Sequence, residues 1–208
     1  MTIAVIGSGN MGSALVKAMA AQGVDVVLGT RDAAKGEALA AELGHRVRSA
    51  SPAEAVRVAS VVVLALPYDA IAGTLASLGS LQGKVLVDIS NPLTADFQGL
   101  QLGTTTSAAE VIQAAVPEAQ VVKAFNTIFA QLLAPEARTA HTLQVFVAAD
   151  DASAKAQVRA LVATLGFEAV DAGALRNSRF LEPVGMMNIQ FGFFLGRGPV
   201  VAPAWVQV

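Results

Sequence analysis

Apolar residues in this chain fall into short dense runs, separated by longer stretches in which alanine and leucine recur among charged residues. The runs at 3–6, 24–28, 60–66, 84–89, 120–125 and 143–148 are rich in valine and isoleucine and are bounded by Gly, Pro, Asn or Asp. Consecutive apolar positions without alternation mark strands covered on both faces, as in a parallel sheet. Between them, helical spacing predicts helices over 11–22, 33–43, 52–58, 69–78, 107–116 and 152–165. Asp150 and Asp151 precede the last of these and Gly166 follows it, which suits both helix ends. A short further strand is expected near His45, and the alternation continues to about residue 171. Strands alternating with helices predict a doubly wound α/β sheet with right-handed crossovers, mostly parallel.

Two stretches break the rhythm. Residues 91–106 form a long connection rich in Gly and Thr, a length typical of functional loops. After Gly173 the pattern changes to one long helix over 177–195 and then an apolar tail, 199–208, containing Pro199, Pro203 and Trp205. The expected division is a nucleotide-binding unit over 1–173 and a small C-terminal helical extension over 174–208, within one globule.

Composition narrows the classes. At 54% hydrophobic and 14% charged residues, the chain carries enough apolar surface to offset the entropy of ordering its backbone, which excludes a disordered protein. The most apolar stretch, 180–195, is interrupted by Glu182, Asn188 and Gln190, so no spanning helix is expected. A net charge of −2 argues against nucleic acid or an anionic membrane as the main partner. With no cysteine, disulfides, thiolate catalysis and Cys-ligated metals are excluded. The N-terminus reads as a first strand rather than a signal sequence, and a cytoplasmic location is expected.

The chemistry-bearing motif is Gly7-Ser8-Gly9-Asn10-Met11-Gly12, placed directly after the first strand and opening the first helix. A lone GxGxxG says little, but strand–turn–helix is the context in which it binds a dinucleotide. Gly7 permits the tight turn, Gly9 lets a pyrophosphate approach the backbone, and Gly12 lets helix and strand pack closely. The helix N-terminus presents free amides to the phosphates. A Rossmann-type domain follows.

The second strand ends in Leu28-Gly29-Thr30-Arg31-Asp32, with Lys35 one turn further on. Where an NAD-preferring domain places a carboxylate for the ribose hydroxyls, this chain has a hydroxyl and a guanidinium. Those groups suit a 2′-phosphate, so NADP(H) is favoured over NAD(H), while Asp32 is free to cap the next helix. The fourth strand ends in Ala65-Leu66-Pro67-Tyr68, where Leu66 and Pro67 can pack against the nicotinamide side and Tyr68 is either a ring platform or plain packing. Asn91 and Asn126 follow the next two strands, as amides able to hold an amide-bearing ring or as loop caps.

An acid–base group is missing. Interconverting an alcohol and a carbonyl needs a proton donor within hydrogen-bond reach, but His45 and His141 fall away from the strand ends and read as surface residues. Lys123, inside the end of the sixth strand, shows no partner in sequence. Hydride passed between two cofactor rings asks only for positioning and exclusion of water.

Taken with Thr106-Ser107-Ala108-Ala109-Glu110, Lys123-Ala124-Phe125-Asn126-Thr127-Ile128, Asp171-Ala172-Gly173 and Asn177-Ser178-Arg179, these motifs resemble the NADPH-dependent coenzyme F420 reductase family across nearly the whole chain. The cytosolic NADPH domain of the STEAP metalloreductases shares that fold. The resemblance implies that Ser8, Asn10 and Met11 line the pyrophosphate, that Thr30, Arg31 and Lys35 hold the 2′-phosphate, and that Leu66, Pro67, Asn91 and Asn126 lie near the nicotinamide. It implies a deazaflavin, F420, stacked for direct hydride transfer; archaeal members carry histidine where Asn126 stands, which leaves FMN and FAD open as acceptors. It also implies that the Met- and Phe-rich segment 180–195 is a dimer contact or acceptor pocket, with a core helix as the alternative. Pyrroline-5-carboxylate reductase has a similar glycine loop but needs a long helical domain for which little chain remains, and a non-catalytic NADP-binding regulator is the other alternative.

Overall fold

The computed structural model describes residues 2–138 and 140–208. The valine-rich runs become β1 (Ile3–Ile6), β2 (Val26–Gly29), β4 (Val61–Leu64), β5 (Val85–Asp88), β6 (Gln120–Lys123) and β7 (Gln144–Ala149), joined by the short β3 (Val47–Ala50) and β8 (Glu168–Asp171). They form an 8-stranded sheet in the order β3-β2-β1-β4-β5-β6-β7-β8. Neighbouring strands are parallel except β6 and β7, which run antiparallel. Only Val122 and Lys123 find partners across that seam, Ala149 and Ala148. The rest of β7 pairs with β8 and extends past the end of β6.

The helices are α1 (Asn10–Ala21), α2 (Ala33–Leu43), α3 (Pro52–Val58), α4 (Tyr68–Leu75), α5 (Ala108–Ala115), α6 (Ala152–Thr164) and α7 (Ser178–Ile189). Strand side chains alternate between faces, and this divides the core in two. Ile3 and Val5 of β1 join Leu15 and Met19 of α1, Leu39 of α2 and Leu161 of α6. Ala4 and Ile6 join Val56 of α3, Ile71 of α4 and Ile112 of α5. Each strand of the central sheet is therefore apolar at consecutive positions, because both its faces are covered.

Helix starts follow local chemistry. Asp32, Ser107 and Asp151 each accept a hydrogen bond from a first-turn amide, and Ser51 with Glu54 forms a reciprocal capping box. The expected helix over 177–195 is divided. A 3-10 turn, Leu175–Asn177, leads into α7, and a widened π turn, Gln190–Phe194, ends it. The widening falls where Gly192 lies against Phe129, so close that a Cβ there would come within 2.7 Å of the ring. The tail returns over β7, with Trp205 edge-on to Phe146 at 5.4 Å. Among the described residues, no helix is long and apolar enough to cross a membrane.

Candidate functional site

β1 is flanked by β2 on one side and β4 on the other, so the connections diverge there and leave a crevice at the carboxyl ends. Gly7 turns the chain out of β1 with φ +114, and a Cβ there would lie 2.3 Å from the Ala65 carbonyl oxygen. At Gly12 a Cβ would come within 2.0 Å of the Gly7 carbonyl oxygen. Gly9 differs: a Cβ would meet nothing within 4 Å. The protein's own packing does not require glycine at that position; the open space lies on the cleft. Gly9 is also the N-cap of α1, makes no side-chain cap, and no acidic residue stands in the first turn. The helix thus presents free amides and its positive end to the cleft, with no side-chain cap or first-turn acid among the described residues to neutralise them. A pyrophosphate suits that cradle.

On one side of the loop a cleft of about 800 Å³ is lined by Gly7, Ser8, Gly9, Thr30, Arg31, Ala65, Leu66 and Pro67. Thr30 is buried, its hydroxyl shared with Ser8 Oγ at 2.9 Å and accepting the Asp32 N–H at 3.1 Å. It ties the glycine loop to the end of β2. Arg31 is exposed on the cleft and forms no ion pair among the described residues. Lys35 stands on the first turn of α2, exposed, and does not line this cleft. Asp32 caps α2 by accepting the Lys35 N–H at 3.0 Å. Tyr68 begins α4 and packs against the apolar core of that face; burial raises its hydroxyl pKa, with Glu182 and Asp69 adding to the effect.

On the other side of the loop a smaller cleft, about 250 Å³, is lined by Asn10, Met11, Ile89, Asn91, Phe125, Asn126, Gly185 and Asn188. Its floor is an interlocked amide pair. Asn91 Nδ2 donates to the Asn126 carbonyl at 2.8 Å, and Asn126 Nδ2 donates to Asn91 Oδ1 at 2.9 Å and to the Leu181 carbonyl at 2.8 Å. The preceding residue, Phe125, is buried with φ +60, a left-handed conformation that a bulky residue adopts only under constraint. Gly185 brings α7 onto the pair, with a Cβ there only 2.6 Å from Asn91 Oδ1. Asn188 Nδ2 fixes the next turn to the Thr127 carbonyl at 3.2 Å.

Behind this floor lies a buried ionic cluster absent from the sequence reading. Lys123, fully buried, donates to Asp88 Oδ2 at 2.8 Å, to the Ser90 carbonyl at 2.6 Å and to Glu182 Oε1 at 2.8 Å. Glu182 also accepts the Ala108 N–H at the start of α5. Burial pushes its carboxyl pKa up, and Lys123 opposes that. Lys123 thus has two carboxylate partners, distant in sequence. The signal available was Glu182, an acid inside an apolar helix, and its spacing with Gly185 and Asn188 puts all of them on one face. His45 and His141 are both exposed. Among the described residues no group of acids and histidines forms a metal site.

A doubly wound sheet with a glycine turn at its switch point and an uncapped helix behind it defines a dinucleotide-binding α/β protein. Residues 2–92 match the family described as NADP oxidoreductase coenzyme F420-dependent. The F420-dependent NADP reductase of Methanothermobacter marburgensis is 31% identical over 200 residues, covering 88% of this chain and 89% of that protein. A solved structure from Arthrobacter sp. FB24, described as a candidate F420-dependent NADP-reductase, is 34% identical with a TM-score of 0.85 and covers 94% of this chain and 95% of its own. The metalloreductase STEAP3 of Rattus norvegicus is 29% identical over 182 residues, but this chain spans only 36% of its length. The chain belongs to the coenzyme F420-dependent NADP oxidoreductase family.

Proposed function

We propose that the chain holds NADP(H) along the carboxyl edge of its sheet and passes hydride between the nicotinamide and a deazaflavin of the F420 type. In this reading Gly7, Ser8, Gly9, Asn10, Met11 and Gly12 receive the pyrophosphate, with the free amides of α1 as donors. Arg31 meets the 2′-phosphate, Thr30 acts through the loop it fixes, and Lys35 contributes charge from further out. Ala65, Leu66 and Pro67 flank the dinucleotide, and Asn91 and Asn126 form the floor at the nicotinamide end. The bound nicotinamide supplies the hydride chemistry; the protein's part is to orient it and exclude water. The observation that carries this reading is the lining of the smaller cleft, which is amide and apolar apart from Thr127 and contains no charged side chain among the described residues. Lys123 is unsuited to proton transfer there, since its ammonium is engaged by three acceptors.

An all-apolar recess of about 320 Å³, lined by Leu93, Phe97, Ile189, Phe193 and Phe194, shares Ile189 and Phe193 with the smaller cleft. It is the place we assign to the acceptor ring, with FMN or FAD as the alternatives to F420. The exposed Phe180 and Leu195, outside that recess, support a homodimer, and the protein is read as cytoplasmic.

NADPH oxidation by the purified protein, followed at its absorbance band with F420, FMN and FAD each offered, tests the acceptor. Oxidation with F420 alone is expected. Turnover with a flavin alone moves the assignment to a flavin reductase, and silence with all three while NADPH binds overturns it. For the dinucleotide, Arg31→Glu is expected to weaken NADPH by about tenfold or more and NADH far less, because it opposes the 2′-phosphate. Equal weakening of both overturns the placement.

A further inference from the structure

The buried cluster of Lys123, Asp88 and Glu182 has no part in the reaction as read so far. Two carboxylates face one ammonium, so with all three ionised the cluster carries one net negative charge. The hydrogen bonds suit that state. Lys123 Nζ donates to three acceptors, Asp88 Oδ1 accepts the Ser90 N–H at 2.9 Å, and both Glu182 oxygens accept the Ala108 N–H. A charge sealed from water is little screened by salt and acts through low-dielectric surroundings.

Its position gives that charge something to act on. Ser90, whose carbonyl takes Lys123, precedes Asn91, and Glu182 stands one turn ahead of Gly185; both Asn91 and Gly185 line the smaller cleft. Among the described residues no charged side chain in that lining opposes the cluster. A nicotinamide ring is cationic when oxidised and neutral when reduced.

We propose that the Asp88–Lys123–Glu182 cluster biases the redox state of the bound dinucleotide, its net negative charge favouring NADP⁺ over NADPH. The proposal rests on NADP(H) occupying this cleft as read above. Asp88, Lys123 and Glu182 do not line the smaller cleft, so their action on a ring bound there is through space. The groups facing Glu182 are Lys123 from β6, Asp88 from β5, the Ala108 amide from α5 and, more distantly, Tyr68 from α4. On its own helix Arg179 is engaged with Glu110. Because burial raises the Glu182 pKa, acid neutralises it before ordinary carboxyls and weakens the bias.

The test is calorimetric binding of NADP⁺ and NADPH to the intact chain, as wild type, Glu182→Gln and Asp88→Asn. Losing a unit of negative charge is expected to raise the ratio Kd(NADP⁺)/Kd(NADPH) about fivefold in Glu182→Gln, with the same sign in Asp88→Asn. A cluster that only packs would weaken both forms alike, and an unchanged ratio overturns the proposal. Should either variant fail to fold, the wild-type ratio must rise as the pH falls through the titration of Glu182, itself followed by carboxyl NMR; a flat ratio across that titration overturns the proposal equally. Protonation of the 2′-phosphate affects both forms and cancels in the ratio. If neither form binds, the dinucleotide reading fails and this inference with it; if both bind and the ratio stays fixed, only the inference fails.

Discussion

Among single residues, the glycines of the loop separate folding from binding. Gly12→Ala places a methyl against the Gly7 carbonyl, a backbone atom that cannot swing away. We expect a loss of more than about 2 kcal/mol in urea unfolding. Gly9→Ala meets no protein atom, so its cost is that of a poorer N-cap, about 1 kcal/mol or less. Its effect should fall on NADPH affinity, by about tenfold or more, since the methyl occupies the space a pyrophosphate needs. A Gly9→Ala variant that binds normally would show that no ligand approaches there. The packing role of Gly12 was readable from the motif and its place after β1, and the same motif assigns binding to Gly9 as an expectation. The contacts of Lys123 were not, because Asp88 and Glu182 stand 35 and 59 residues away and no periodicity links a lysine to such partners.

Secondary-structure elements were legible where burial is two-sided. β1, β4 and β5 are apolar at consecutive positions because helices cover both faces, whereas β3 shows only a trace, its Arg48 lying exposed at the sheet edge. The C-terminal helix was legible as apolar but not as divided, since its π turn falls where Phe129, from a distant segment, lies against Gly192. The reversal of β7 was likewise hidden: parallel and antiparallel strands look alike when both faces are buried. At the same scale, α7 is joined to α5 by Arg179, which grips Glu110 through Nε at 2.9 Å and Nη2. That grip, with Ser107 assisting against burial, holds the Glu110 pKa below the ordinary range. A lowered carboxyl pKa contributes stability that is complete above the unfolded-state value and lost as the pH falls through the folded one. Glu110→Gln should therefore lower Tm by about 2 °C at neutral pH, and the difference should shrink steadily as the pH falls below the ordinary carboxyl range. A difference that persists in acid would mean the pair contributes through packing rather than charge.

Over the whole molecule, the apolar side chains left uncovered gather at the C-terminal end: Phe180 is 64% exposed, Phe193 59% and Leu195 59%. A surface of this kind is normally covered by a partner. Sedimentation equilibrium is expected to give a dimer that Leu195→Glu shifts towards monomer, with Tm falling no further than the lost association accounts for; a monomeric wild type would overturn the dimer reading.

The seam between β6 and β7 has a consequence in time rather than in space. The other strand pairs hold together along four residues each, and this one along only Val122 and Lys123. Cooperative units of a protein open where the fewest ladder bonds join them. The unit β7–α6–β8 is thus expected to part from the parallel sheet before the sheet itself loosens. In native-state hydrogen exchange its amides should form a faster set of their own, with the boundary falling at Lys123.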